Sequence, residues 1–165
     1  MSEDQNQYKK LIEAIELNEI ELLSLNCNQN KDFPHEKREN LSLALKNNIV
    51  TTAIEGMELH VQIEFGVIAY DEKNTETSAN SEDKENIHEE NILFRIDFSL
   101  MLNYVFDLEN VEDIAFVFDK EIDTFVNNNV PINAWPYARE TISSITTRMG
   151  FPALIIPTYK NLQFI

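Results

Sequence analysis

The chain of 165 residues is short of almost everything that announces chemistry. It holds one cysteine, Cys27, which excludes an intramolecular disulfide framework and fits a reducing compartment. That thiol has neither a CxxC partner nor an evident local base. Three glycines, Gly56, Gly66 and Gly150, cannot build a phosphate-cradling loop. Three histidines, His35, His60 and His88, fall in a loop, a strand and a polar insert, with no metal-ligand spacing between any two. Basic residues are few: 13 Lys and Arg stand against 29 Asp and Glu, a formal charge of −16. Such a balance repels phosphates and anionic lipid, so neither nucleic acid nor direct membrane binding is expected. No apolar run approaches the ~20 residues needed to cross a bilayer. The start, MSEDQNQYKK, lacks the apolar centre of a secretion signal, and a cytoplasmic protein is expected. Carboxylates abound, but nothing sets two of them across a cleft. Asp119 and Asp123, at i and i+4, read as a solvated helix face. No catalytic group, metal or cofactor is expected, and the protein does not read as an enzyme.

What is present is a pattern. Residues 1–165 read as one domain, with a frayed polar start over 1–8 and an acidic connecting loop over 71–90. That loop, DEKNTETSANSEDKENIHEE, is too polar to offset its ordering entropy. Alternation at period two marks four strands. The first lies between Ile12 and Asn26, with a face ambiguity at Leu22 and Leu23. Leu41, Leu43 and Leu45 alternate up to a break at Asn47 and Asn48. Leu59 to Val67 form the third run and Ile92 to Phe106 the fourth. Four consecutive strands without helices between them imply an antiparallel sheet. Two helices follow. One carries Val111, Ile114, Phe118, Ile122, Phe125 and Val126 at three- and four-residue steps and stops at Asn127–Asn129. The other is capped by Asn133, with Pro136 in its first turn, and buries Ala138, Ile142, Ile145 and Met149 before Gly150 and Pro152 stop it. The fold class is therefore α+β: a four-stranded antiparallel sheet followed by two helices packed on one face.

The large apolar groups are the functional clue. The fourth strand carries Leu93, Met101 and Val105 on its second face, among Arg95, Asp97 and Asn103. Phe94, Phe98, Phe106, Phe116, Phe118, Phe125 and Trp135 lie on it or after it. A domain of this size hides only some of these, and the rest would form an exposed interaction surface. Taken singly, each ring is more often core or oligomer interface. As a set they point to a protein-binding surface.

Between Trp135 and Pro157 the residues carry a resemblance. Trp135, Pro136, Tyr137, Ala138, Arg139 and Glu140 open a helix that ends in Thr147 and Arg148. Phe151, Pro152, Leu154 and Pro157 follow. This resembles the hallmark helix of the SecB family of export chaperones, and residues 10–24 and 41–66 look like the family's first three strands. The resemblance implies a tetramer, built as a dimer of dimers, that holds unfolded or partly folded polypeptides in long apolar grooves without ATP. It makes Phe94, Phe98, Met101, Phe106, Phe116, Phe125 and Trp135 the candidate client-binding residues. Trp135 is either a groove wall or an anchor for the start of its helix. Export members dock on the SecA motor through acids of the first strand and a Leu-x-Glu strand. Glu19 and Leu93 match those positions, while Leu23 and Arg95 depart from them. The sequence also ends at Ile165 without the family's C-terminal helix, and its acidic loop is longer. These departures resemble divergent members that protect an antitoxin in toxin–antitoxin systems. A SecB-like interaction protein without chaperone activity is the other reading.

Overall fold

The computed structural model describes residues 3–72, 87–109 and 113–159. The chain opens with helix α1 (Glu3–Ala14), then strand β1 (Ile15–Gln29), a short 3-10 turn at His35–Asn40, and strands β2 (Leu41–Glu55), β3 (Glu58–Asp71) and β4 (Ile92–Phe106). Helices α2 (Ile114–Val117), α3 (Asp119–Asn128) and α4 (Val130–Arg148) complete it. The strands form one antiparallel sheet in the order β1-β4-β3-β2, which leaves β1 and β2 as edges.

Two expectations at the N-terminus are corrected. The polar start is helical from Glu3, not frayed, and the first strand begins at Ile15, not Ile12. Tyr8, Leu11 and Ala14 share one helix face. Leu11 is fully buried, and the Tyr8 hydroxyl donates to Asn129 Oδ1 at 2.9 Å. Docking on the C-terminal helices thus holds a segment too polar to form a stable helix alone. In β2, Asn47 and Asn48 are no break: they pair with Phe65 and Glu64, and the strand runs on to Glu55. The acidic insertion falls between β3 and β4 as expected, and its residues 73–86 lie outside the described ones.

Alternation sets the two faces of the sheet. Leu59, Val61, Ile63, Phe65 and Val67 of β3 lie beside Tyr104, Leu102, Leu100, Phe98 and Ile96 of β4, and all are buried. This is the covered face. Phe65 stacks on Phe98 with ring centroids 5.2 Å apart and meets Trp135 of α4 at 6.3 Å. Tyr104 meets Phe125 of α3 edge-on at 5.1 Å and accepts a hydrogen bond from Asn133 Nδ2 at 3.1 Å. Burial pushes the Tyr104 phenol up to about 12, and the Asn133 bond partly offsets that rise.

The helices differ from expectation in their ends. The stripe starting near Val111 is broken: Asp113 Oδ1 accepts from the Phe116 N–H at 3.0 Å, α2 makes one turn, and α3 restarts after Phe118. Helix α4 starts at Val130, so Asn133 is an interior residue and no cap, and Pro136 lies inside the helix. Pro131 takes the tolerant first-turn place instead. Pro136 is on the exposed side of the helix. The predicted stop at Gly150 is present. Gly150 has φ 88°, its N–H bonds Thr147 O at 3.0 Å, and the Phe151 N–H bonds Thr146 O at 3.0 Å. That pair of bonds closes the helix end in the left-handed manner that glycine favours.

Candidate functional site

The covered face is wider than its cover. Helix α4 lies over β3 and β4, while β1 continues the same apolar register beyond it. Ile15, Leu17, Ile20, Leu22 and Leu25 stand opposite Phe106, Tyr104, Leu102, Leu100 and Phe98. The β4 residues are buried, whereas Leu17, Leu22 and Leu25 are 37, 51 and 39% exposed. From Leu17 to Leu25 the row runs about 20 Å, since two bulges leave it opposite the six-residue step from Tyr104 to Phe98. On the other flank, Leu43 opposite Ala69 is exposed, and Leu45 and Ile49, opposite Val67 and Ile63, are half-buried. Two apolar rows therefore flank the helix layer, one on each edge strand.

The open face is polar. Glu16, Glu19 and Glu21 point there from β1, opposite Val105, Asn103 and Met101. All three are exposed, and among the described residues none is in an ion pair. His60 sits half-buried on this face, its Nδ1 2.7 Å from Asn103 Oδ1 and its Nε2 3.4 Å from Glu58. A depression of about 520 Å³ crosses the sheet among Ser24, Asn26, Lys46, Glu64 and Asp97. It is deep there because Gly66 lacks a side chain: a Cβ would come within 3.2 Å of Asp97 Oδ1 and 3.3 Å of Lys46 Cε. Amides, carboxylates and a lysine line it together with Phe65 and Phe98. Among the described residues no group of His, Cys, Asp and Glu could hold a metal ion. Cys27 is exposed on β1, and burial of its sulfur together with the nearby Asp97 charge raises its pKa, which keeps it a thiol.

The seven candidate client-binding residues do not come together. Phe94, Phe98, Phe106, Phe125 and Trp135 are buried in the core of the single chain. Met101 is half-buried on the open face, across the sheet from those rings. Only Phe116 is free, at 85% exposure on the one-turn helix α2. Aromatic type alone did not distinguish core from surface, because the ring that fills a core is the ring that makes a binding surface. The exposed leucines of β1 and β2 were not among the sequence candidates, because an edge position follows from the strand order and not from the residues of the strand.

Of the two motor-contact positions, Glu19 is exposed, but Leu93 is 1% exposed at a register shift in β4. Its carbonyl accepts from the Asn30 N–H at 2.8 Å, so it is fixed in the core. Arg95, where the family pattern expects an acid, bonds Glu89 at 3.3 Å. Glu19 sits opposite Asn103, eight residues along β4 from Arg95, or about 27 Å at strand rise. The motif helix residues do assemble. Trp135 Nε1 donates to Pro157 O at 2.8 Å, Phe151 packs on Phe94 at 5.1 Å, and Thr146 Oγ1 accepts the Leu154 N–H at 3.0 Å. Trp135 thus joins the start of its helix to the core and to the segment after it.

Comparison with known proteins agrees with this architecture. The profile of the SecB family, described as preprotein translocase subunit SecB, matches residues 23–160. Among solved structures, the SecB-like chaperone Rv1957 of Mycobacterium tuberculosis, in complex with a ChAD peptide from the Rv1956 HigA1 antitoxin, superposes with a TM-score of 0.70. It is 14% identical, over 94% of this chain and 98% of that one. A protein of unknown function from Streptococcus agalactiae is 5% identical over 87% of this chain and 96% of that one, but its TM-score of 0.37 is too low to carry an argument. A search of the curated proteins finds no match. No described helix is long and apolar enough to cross a membrane. With four antiparallel strands, helices on one face and a family match over most of its length, the chain belongs to the SecB family of non-enzymatic chaperones.

Proposed function

We propose that this protein holds unfolded or partly folded polypeptides without ATP, seating their apolar side chains on the uncovered rows of β1 and β2. The observation that carries the reading is the contrast between Leu22, 51% exposed, and its neighbour Leu100, 3% exposed on the same face. Exposed leucines in register along an edge strand form a contiguous apolar surface, which marks a binding site more often than chance. An extended client would also find the unpaired backbone of an edge strand, and the acids Glu16, Glu19 and Glu21 on the other side of β1 favour clients with basic residues. Work in the cytoplasm as a dimer of dimers, as the family resemblance implies, is part of this reading.

Two dedicated roles divide it. Docking on the SecA motor is disfavoured by buried Leu93 and by Arg95 in the place of an acid, since a reversed charge in a complementary contact costs several kcal/mol. Protection of an antitoxin is favoured by the likeness to Rv1957, which was solved with an antitoxin peptide. The test is suppression of aggregation of a chemically unfolded model protein at near-stoichiometric chaperone. Leu22→Asp with Leu25→Asp should lower protection at least tenfold while circular dichroism stays native. Full protection by the double variant would remove the β1 row as the site, and no protection by the unmodified protein would reject chaperoning altogether.

A further inference from the structure

We propose that the depression on the open face of the sheet seats the arginine side chain of a bound polypeptide, held between the carboxylates of Glu64 and Asp97. This seat presupposes the holding activity proposed above, and it lies on the face opposite the apolar rows.

Four residues form its floor and sides. Gly66 pairs with Asp97, and Glu64 with Ser99, across β3 and β4, and alternation turns all four to the open face. One diagonal of this square is almost empty. Gly66 has no side chain, and Ser99 is 2% exposed with its hydroxyl oxygen 2.7 Å from that of Ser24. Glu64 and Asp97 hold the other diagonal, about 7–8 Å apart by sheet geometry. Phe65 and Phe98 also line the depression, but their rings stack on the covered face beside Trp135, so the side chains turned into it are polar. Among the described residues neither Glu64 nor Asp97 is in an ion pair. Lys46 lies alongside, its Cε 3.3 Å from where a Gly66 Cβ would stand, and it pairs with neither of them.

The chemistry of the square selects its occupant. Two unpaired carboxylates this close repel each other, and a cation between them relieves the repulsion. Acceptors are in excess, since the amide oxygens of Asn26 and Asn48 stand beside the carboxylate oxygens. A guanidinium offers five N–H donors in a rigid planar fork and no acceptor, so one group can bond both carboxylates at once. An ammonium is a compact point charge that satisfies one of them. The net charge of −16 draws any cation towards the surface, and the spacing of the two acids favours arginine among them. The floor must stay clear for this: a Cβ at Gly66 would stand 3.2 Å from Asp97 Oδ1, in the space the fork needs.

The full chain is titrated with fluorescein-labelled, capped peptides of leucine and alanine that differ only in a central arginine, lysine or glutamine, and anisotropy gives the dissociation constants. The arginine peptide should bind at least tenfold more tightly than the glutamine peptide and at least threefold more tightly than the lysine peptide. Asp97→Asn with Glu64→Gln should remove that preference and leave the glutamine peptide within twofold. Gly66→Ala, which fills the floor and keeps both charges, should do the same, and it carries the test if the double variant fails to fold. Asp119→Asn with Asp123→Asn removes as much charge from α3, on the other side of the sheet, and should keep the preference. Equal affinity of the arginine peptide and either of the others for the unmodified chain overturns the inference. A preference that survives the changes at Glu64, Gly66 and Asp97, or that the α3 variant also abolishes, overturns it as well. The two readings fail separately: protection of the model client without an arginine preference removes this seat alone, and an arginine preference without protection removes the holding activity alone.

Discussion

Leu100 and Leu22 are neighbours across two strands, on one face of one sheet, with the same side chain. One is buried and the other half in water, because α4 lies over β3 and β4 and stops short of β1. The same holds at Tyr104 and Phe98, which are buried while their β1 partners Leu17 and Leu25 are exposed. Alternation thus reports which face a residue is on, and only the placement of the helix layer reports whether that face is dry. In a protein whose family binds other chains, the uncovered margin of a core is a natural place for the binding surface.

The comparison is broken most directly by the matched pair itself. Leu100→Ala should cost about 2–5 kcal/mol, the range for a leucine removed from a close-packed core. Leu22→Ala should cost less than about 1 kcal/mol, since about half of the residue is already in water. Urea unfolding of both variants decides it, and similar losses would mean that β1 is covered in solution. Alkaline unfolding tests the depth of the core. The Tyr104 phenol is held neutral up to about 12, against an ordinary value of 10.0. Between those pH values the unfolded chain has released the proton and the folded one has kept it, so stability falls as pH rises. About 3 kcal/mol should be lost across that window, and Tyr104→Phe should remove the dependence. The smallest effect belongs to Phe116. At 85% exposure on α2, Phe116→Ser should change stability by no more than about 0.5 kcal/mol and should leave client protection unchanged. A clear loss of protection would restore Phe116 to the binding surface.

Much of the fold was legible in the residues. Strand β4 was read to its ends, since Ile, Phe, Leu and Tyr recur at every second position from Ile92 to Phe106. The stop at Gly150 was legible because a left-handed residue there is cheap only for glycine. Helix α1 was not legible, since its single buried face of Tyr8, Leu11 and Ala14 is stabilised by packing on α3. Asn47 and Asn48 looked like a break because asparagine is poor in strands, yet pairing with β3 overrides that preference. Asn133 looked like a cap and is instead the partner of Tyr104, a residue 29 positions away. The candidate site was the least legible part, because exposure depends on what other elements cover.

The sequence by itself determined the α+β class, the alternation of β3 and β4 and the hallmark helix from Trp135 onward, since these follow from local residue types and spacing. Tertiary structure decided which leucines remain in water, that five of the seven candidate groove residues are core, that Leu93 is closed to a partner, and that Trp135 is covered by the chain's own apolar segment. The physical reason is that burial belongs to pairs of elements. A residue's face is set by its own strand, while its contact with water is set by whatever packs above it.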